Sequence, residues 1–471
     1  MLFNSFEFLL FFPIVFVIYF LIRENRYRNL FLLIASYFFY MNWNPVYALL
    51  ILTSTVLTYA CGLLVERHVG SKPKQKFFLV ASIILNFGIL VIFKYYNFIN
   101  ESIFEVLSLI GLKWSLPNMD ILLPVGISFY TFQAVGYSID VYRGTIKTEK
   151  NFFTYALFVS FFPQLVAGPI ERAKNLLPQF HKKHNLKYEN VVEGTKQMIW
   201  GFFMKICVAD VLSEYVNAVY NNVHNHNGSS LLLATFFFSF QIYCDFAGYS
   251  NIAIGSARLM GFNLMENFKR PYFSMSVKEF WKRWHISLSS WFMDYLYIPL
   301  GGSRVNYARH MLNLFITFLV SGIWHGANWT FVLWGALHGA FLVFGIFFRK
   351  FIYSPKETTI HYKVFNTIFS FILVSLAWVF FRANNVTDAF TIFGKFFTDL
   401  GPLFVDKSVF LHGFAALLIL IIKDTKDNFG LNFNFMHSKN IVVRYASVAI
   451  LISYIILFGA LYGGQFIYFQ F

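Results

Sequence analysis

Charge is what this chain has least of. Asp, Glu, Lys and Arg make up 13% of its 471 residues, against 57% hydrophobic and 21% aromatic, and its mean hydropathy is +0.56. Soluble domains of this length do not show such values, so the chain reads as an all-α polytopic membrane protein. Cysteine is nearly absent too. Cys61, Cys207 and Cys244 form no close pair and each lies in an apolar run, which argues against a disulfide framework or zinc-ligand spacing. Soluble-enzyme signatures are missing: there is no GxxxxGK[ST], GxGxxG, HExxH or GxSxG, and Gly248-Tyr249-Ser250-Asn251-Ile252 lacks its second glycine. ATPase, metalloprotease and serine-hydrolase readings lose support. No internal repeat, low-complexity tract or soluble domain stands out. The first apolar run, Phe6 to Ile22, has no basic region before it and no small-residue cleavage site after it, so it is expected to stay as a span.

The charge that is present is mostly positive, 38 Lys+Arg against 23 Asp+Glu. In so apolar a chain these cations sit in loops and report topology and anionic lipid headgroups rather than nucleic acid. Runs long enough to cross ~30 Å of hydrocarbon recur along the chain, oriented by basic loops. They predict about twelve crossings of the cell membrane plus two re-entrant pieces. One re-entrant piece is Phe152 to Ile170, whose two flanks are both basic and whose Pro163, Gly168 and Pro169 suit irregular backbone. The other belongs to the stretch from Arg258 to Arg309, with eight Lys/Arg against three acidic residues. The last span, Ala446 to Tyr462, then leaves the C-terminus outside the cytoplasm.

Residues 278–339 concentrate the chemistry, with FWKRWHISLSSW, DYLYIPLGGSR and SGIWHGANWTFVLWGALHG close together. If Val277 to Tyr297 is one helix, Trp281, Trp284, His285, Leu288, Trp291, Phe292 and Tyr295 share a face, with His285 at the edge of that aromatic stripe. His325 lies between two apolar runs, and an ionisable group at that depth is a functional candidate. Asp245, in QIYCDFAGYSNIAIG, is a second one, read either as catalytic or as a carboxylate that fixes the fold. His338 reads as structural, and His224-Asn225-His226 as a solvated turn. A multi-span transporter or flippase without covalent chemistry also fits many spans and intramembrane charges. Against it stand the missing inverted repeat and the clustering of tryptophan, histidine and asparagine at one depth.

FFPQLVAGPIER at 161–172, DFAGYSNIAIGSARLMGF at 245–262, RPYFSMSVKEFWKRWHISLSSWFMDYLYIPLGGSR at 270–304 and SGIWHGANWTFVLWGALHG at 321–339 together resemble the membrane-bound O-acyltransferases, in their bacterial alginate O-acetyltransferase-like branch. Asn251 and Met293 depart from the branch, where Asp and Arg are common. The resemblance implies one integral membrane domain over residues 1–471, with a catalytic core at 161–339 and helices arranged around a central tunnel. It implies His325 as the signature catalytic residue and His285 as the second motif residue. It also implies a cytoplasmic thioester donor, acetyl-CoA, with no tightly bound cofactor or metal, and an extracytoplasmic polysaccharide or cell-wall polymer as acceptor. A histidine base suits thioester-to-hydroxyl transfer, and Trp324 Nε1–H, Asn328 and local backbone N–H groups are candidate oxyanion donors. Lys269, Arg270, Lys278, Lys282, Arg283 and Arg304 form a cationic shell that suits the phosphates of coenzyme A or else marks the cytoplasmic face. No extracytoplasmic catalytic domain is visible in the sequence, so a separate extracytoplasmic acyltransferase or polymer-export partner is expected.

Residues 466–471, FIYFQF, are almost wholly aromatic. They read as an interfacial anchor or as an acyl-relay tail. Tyr468 carries the only nucleophilic hydroxyl among them, and the pattern resembles the short aromatic C-terminal motif of the small partner in teichoic-acid D-alanylation. The relay reading has Tyr468 take the acetyl group with His325 as base and pass it on, dividing one transfer into two.

Overall fold

The computed structural model of the protein describes residues 1–112, 114, 116–120, 123–166, 168–352, 359–460 and 466–467. Among the described residues there is no strand, and helix follows helix along the chain. Among the described residues, six helices are long and apolar enough to cross a bilayer: Pro45–Arg67, Lys72–Leu109, Gly228–Leu259, Trp329–Phe351, Ile360–Arg382 and Ile441–Phe458. They account for part of the twelve crossings expected; other apolar runs fold as shorter helices, such as Phe6–Leu21, or carry more charge. Met198 to Val219, for example, is helical throughout, with a π-helical turn at Phe203–Ala209, but carries Lys205, Asp210 and Glu214. The outer faces are apolar. Ile450, Ile456 and Leu457 on the last helix expose 68%, 62% and 70% of their surfaces, which calls for a hydrocarbon surround rather than water.

Two compact units form, residues 1–194 with 253–265, and residues 195–252 with 266–471. In the first, the segment expected to be re-entrant is interrupted: Phe152–Ser160 is helical, the backbone turns at Phe161, and a single turn Phe162–Leu165 follows. Pro163, in the first turn of the new helix, needs no N–H partner there. The groups stranded by the break are satisfied by side chains. Ser36 Oγ accepts the Phe162 N–H at 3.1 Å, and the amides of Gln133 and Gln164 both donate to the Phe158 carbonyl. All of these residues are buried, so the irregular backbone lies inside protein.

The second unit is built on close helix crossings. Gly201 and Gly248 face each other, and a Cβ on Gly201 would lie 2.7 Å from the Gly248 carbonyl oxygen. This approach brings the π-helical turn against the middle of Gly228–Leu259. A second crossing joins the antiparallel helices Tyr307–His325 and Trp329–Phe351, where a Cβ on Gly322 would meet the Phe331 carbonyl at 2.3 Å. Its contact holds His325 beside the following helix. Around both crossings packs an aromatic core that includes Trp284, Trp334 and Trp378, each fully buried.

Gly201→Ala should therefore force the two backbones apart and destabilise the protein by about 1–3 kcal/mol. Thermal unfolding of the purified protein in detergent checks this, and an unchanged midpoint would show that the crossing is not tightly packed.

Candidate active site

The stretch Val277 to Tyr297 is not one helix, contrary to the expectation from its periodicity. It is helical from Val277 to Arg283, breaks at Trp284 and His285, resumes over Ile286–Phe292 and passes into a π-helical turn Met293–Tyr297. The predicted shared face is lost at the break. Its cause is competition for backbone groups. The Ile286 N–H donates to the Asn267 carbonyl at 3.0 Å, and the Lys269 N–H donates to the Arg283 carbonyl at 2.8 Å. Asn267 Oδ1 takes the Ser287 N–H at 3.2 Å and the Ser287 hydroxyl at 2.9 Å, while its Nδ2 donates to Ser250 Oγ at 3.3 Å. Asn267, 1% exposed, thus holds the break from the side.

His285 is the residue at the hinge. Its φ of 42° and ψ of 54° are left-handed, a conformation costing a residue with a Cβ about 1–2 kcal/mol. Arg270 is the only other non-glycine residue with positive φ among the described residues. The strain places the His285 ring as the N-cap of Ile286–Phe292, where Nδ1 accepts the Leu288 N–H at 3.4 Å. A ring nitrogen that accepts carries no proton, so the neutral imidazole holds its hydrogen on Nε2. His285 is therefore a hydrogen-bond donor through the edge that points away from its own helix. Phe246 stands edge-on to the ring at 4.6 Å between centroids.

His325 is the last residue of Tyr307–His325 and is 2% exposed. Trp324 and Trp334 lie edge-on to it, each at 4.9 Å between centroids, and Phe381 lies at 5.4 Å. Trp324 also reaches His285, at 6.2 Å. The structure thus places one tryptophan between the two motif histidines, in an apolar enclosure. His338 packs against Trp334 and accepts the Trp281 indole N–H at 3.2 Å.

The remaining predicted residues divide. Asn328 Oδ1 caps the helix Trp329–Phe351 by accepting the Thr330 N–H at 2.9 Å, and its amide nitrogen donates to the Asn384 carbonyl; its side chain serves the cap. Several cations of the expected donor shell have protein partners. Arg283 binds Glu279 at 2.6 Å and Asn428 at 2.9 Å, Lys269 pairs with Glu266 at 3.1 Å, and Arg270 donates to the Asp427 carbonyl at 2.7 Å. Lys278, Lys282 and Arg304 are exposed. The turn at Val223–His226 offers the carbonyls of Val223, His224 and His226 to the Lys395 ammonium. Tyr468 lies outside the described residues.

Asp245 is 3% exposed and pairs with Lys205, itself 1% exposed, at 2.6 Å. Lys205 also pairs with Asp210 at 2.7 Å. Sequence reasoning passed over Lys205, although a lone lysine in WGFFMKICVADV satisfies the intramembrane rule that singled out Asp245. Asn267 carried no such signal, since an asparagine in a polar loop is ordinary.

Residues 146–383 match the sequence model of MBOAT, the membrane-bound O-acyltransferase family. The chain is 40% identical over 405 residues to a probable alginate O-acetylase, AlgI, of Pseudomonas aeruginosa, covering 84% of this chain and 75% of the relative. It is 34% identical over 434 residues to a peptidoglycan O-acetyltransferase of Helicobacter pylori, covering 83% and 79%. A teichoic acid D-alanyltransferase of Bacillus subtilis is 28% identical over 235 residues, 48% of this chain and 60% of the relative.

Asn267→Ala removes the side-chain bonds that hold the His285 hinge and leaves the Ser287 backbone N–H without that acceptor. It should lower stability by about 1–3 kcal/mol. Thermal unfolding in detergent measures the loss, and wild-type stability would refute the role given to Asn267.

Proposed function

The chain belongs to the membrane-bound O-acyltransferase family, and from that premise we propose that it carries acetyl from cytoplasmic acetyl-CoA to hydroxyl groups of an extracytoplasmic polysaccharide or cell-wall polymer. Relatives named for O-acetylation of alginate and of peptidoglycan support a polymer acceptor. The observation that carries the reading is the meeting of His285 and His325 at Trp324.

The chemistry divides between the two rings. The acceptor hydroxyl attacks the thioester carbonyl carbon, a C–O bond forms, and the C–S bond breaks to release coenzyme A. His325 takes the hydroxyl proton and returns it to the departing thiolate. As negative charge builds on the carbonyl oxygen, the Nε2–H of His285 and the indole N–H of Trp324 are the donors that face it. The apolar enclosure strengthens these bonds by excluding water. Tyr468 is the first acceptor in this scheme, and its phenolic ester is a more activated donor than an alkyl ester for the second transfer. Exposed Lys278, Lys282 and Arg304 are the cations of the expected shell that remain best suited to the phosphates of coenzyme A. An extracytoplasmic partner then completes delivery to the polymer.

His325→Ala should leave the protein folded in the membrane while acetyl transfer from radiolabelled acetyl-CoA falls by about 10²–10⁴-fold. Near-wild-type transfer by that variant would show that the base lies elsewhere. With donor supplied and acceptor withheld, mass spectrometry should find acetyl on Tyr468, and full polymer acetylation by Tyr468→Phe would remove the relay.

A further inference from the structure

The buried Lys205 cluster contains one cation and two carboxylates, so it has acceptor capacity beyond what the lysine fills. Part of that capacity is met from a distant part of the chain. Asp245 turns one oxygen to Lys205 and the other, Oδ2, accepts the backbone N–H of Ile467 at 2.7 Å. A second main-chain bond lies nearby: the Ala460 N–H donates to the Ile206 carbonyl at 2.9 Å. Ile206 follows Lys205 in the π-helical turn Phe203–Ala209, a local distortion of the kind that recurs at functional sites. Phe466 and Ile467 are 1% and 4% exposed. The Phe466 ring lies 5.4 Å from Phe246 and 4.9 Å from Tyr249 between centroids, and Phe246 is the ring that stands against His285.

We propose that the π-helical turn and Asp245 form a dock that fixes the register of the segment after the last helix, and that Lys205 is its positioning residue. Both anchoring bonds are made by backbone N–H groups, one on either side of residues 461–465. They therefore select a position along the chain, not a side chain. Lys205 orients Asp245 through the 2.6 Å pair with one carboxylate oxygen, so that the other oxygen is turned to the incoming N–H. The purpose of the dock rests on the relay reading above, because Tyr468 follows the pinned peptide directly; its geometry does not.

Hydrogen–deuterium exchange on the full chain in lipid nanodiscs reads the dock without reference to activity. Ile467→Pro removes the one N–H that Asp245 accepts while leaving the Lys205 cluster untouched. Exchange across residues 459–467 should quicken by about ten-fold or more, with Gly228–Leu259 and Tyr307–His325 unchanged, and Ile467→Val should match wild type. Asp245→Leu should free the same segment, and Asp245→Asn, which retains an acceptor oxygen, should free it less. If Asp245→Leu does not fold, Ile467→Pro decides alone. Unchanged protection at 459–467 in Ile467→Pro overturns the dock. Polymer acetylation by the same variants tests the relay separately: a freed segment with full acetylation would sink the relay and leave the dock in place.

Discussion

At membrane depth no water is available to satisfy a backbone group, so every interruption of a helix has to be repaired by the protein itself. An unrepaired N–H or C=O there costs several kcal/mol. The break at Phe161 is met by Ser36, Gln133 and Gln164. The break at Trp284 and His285 is met by Asn267 and by the backbone of Lys269. At these two breaks, then, buried polar side chains stand where a helix stops. The breaks in turn are what let a side chain such as His285 stand apart from the regular face of a helix.

The same constraint governs charge. Lys205 and Asp245 are fully enclosed, and such a pair holds only if geometry and further hydrogen bonds offset the loss of hydration. The geometry comes from Gly201 and Gly248, whose missing side chains let two helices approach until lysine and aspartate meet. The further bonds come from Asp210 and from the Ile467 N–H. Close packing, ion pairing and the placement of the terminal segment are thus one connected arrangement.

Helical class and apolar exterior were legible in the sequence, because hydropathy is a local signal, and the rarity of intramembrane polar groups singled out His285, His325 and Asp245, all of which are buried. The number of crossings was less legible. An apolar run such as Met198 to Val219 has the length of a span whether it is a regular helix or, as here, a helix with a π-helical turn that carries buried Lys205 and Asp210. The break at His285 was hidden for another reason. WKRWHISLSSW has helical periodicity on both sides of the hinge, and the groups that interrupt it sit on Asn267 and Lys269, well upstream in sequence. Likewise the amide oxygen of Asn328, a residue read as an oxyanion donor, also caps a helix N-terminus, a role the sequence did not single out. Short-range pattern identifies which residues are unusual; long-range hydrogen bonding decides what each one does.

The two histidines illustrate that decision. By composition they are alike, both buried and both flanked by tryptophan. His285 precedes a helix and His325 ends one. A residue that precedes a helix meets unsatisfied N–H groups, so its ring nitrogen is drawn into accepting, and its proton is thereby settled on the opposite nitrogen. A residue that ends a helix lies among that helix's last carbonyls, so its own helix places no comparable demand on the ring to accept. Acyl transfer requires one group that donates to a developing oxyanion and another that accepts a proton. In the transfer proposed above, helix polarity thus favours His285 as the donor and His325 as the base, before any substrate is considered.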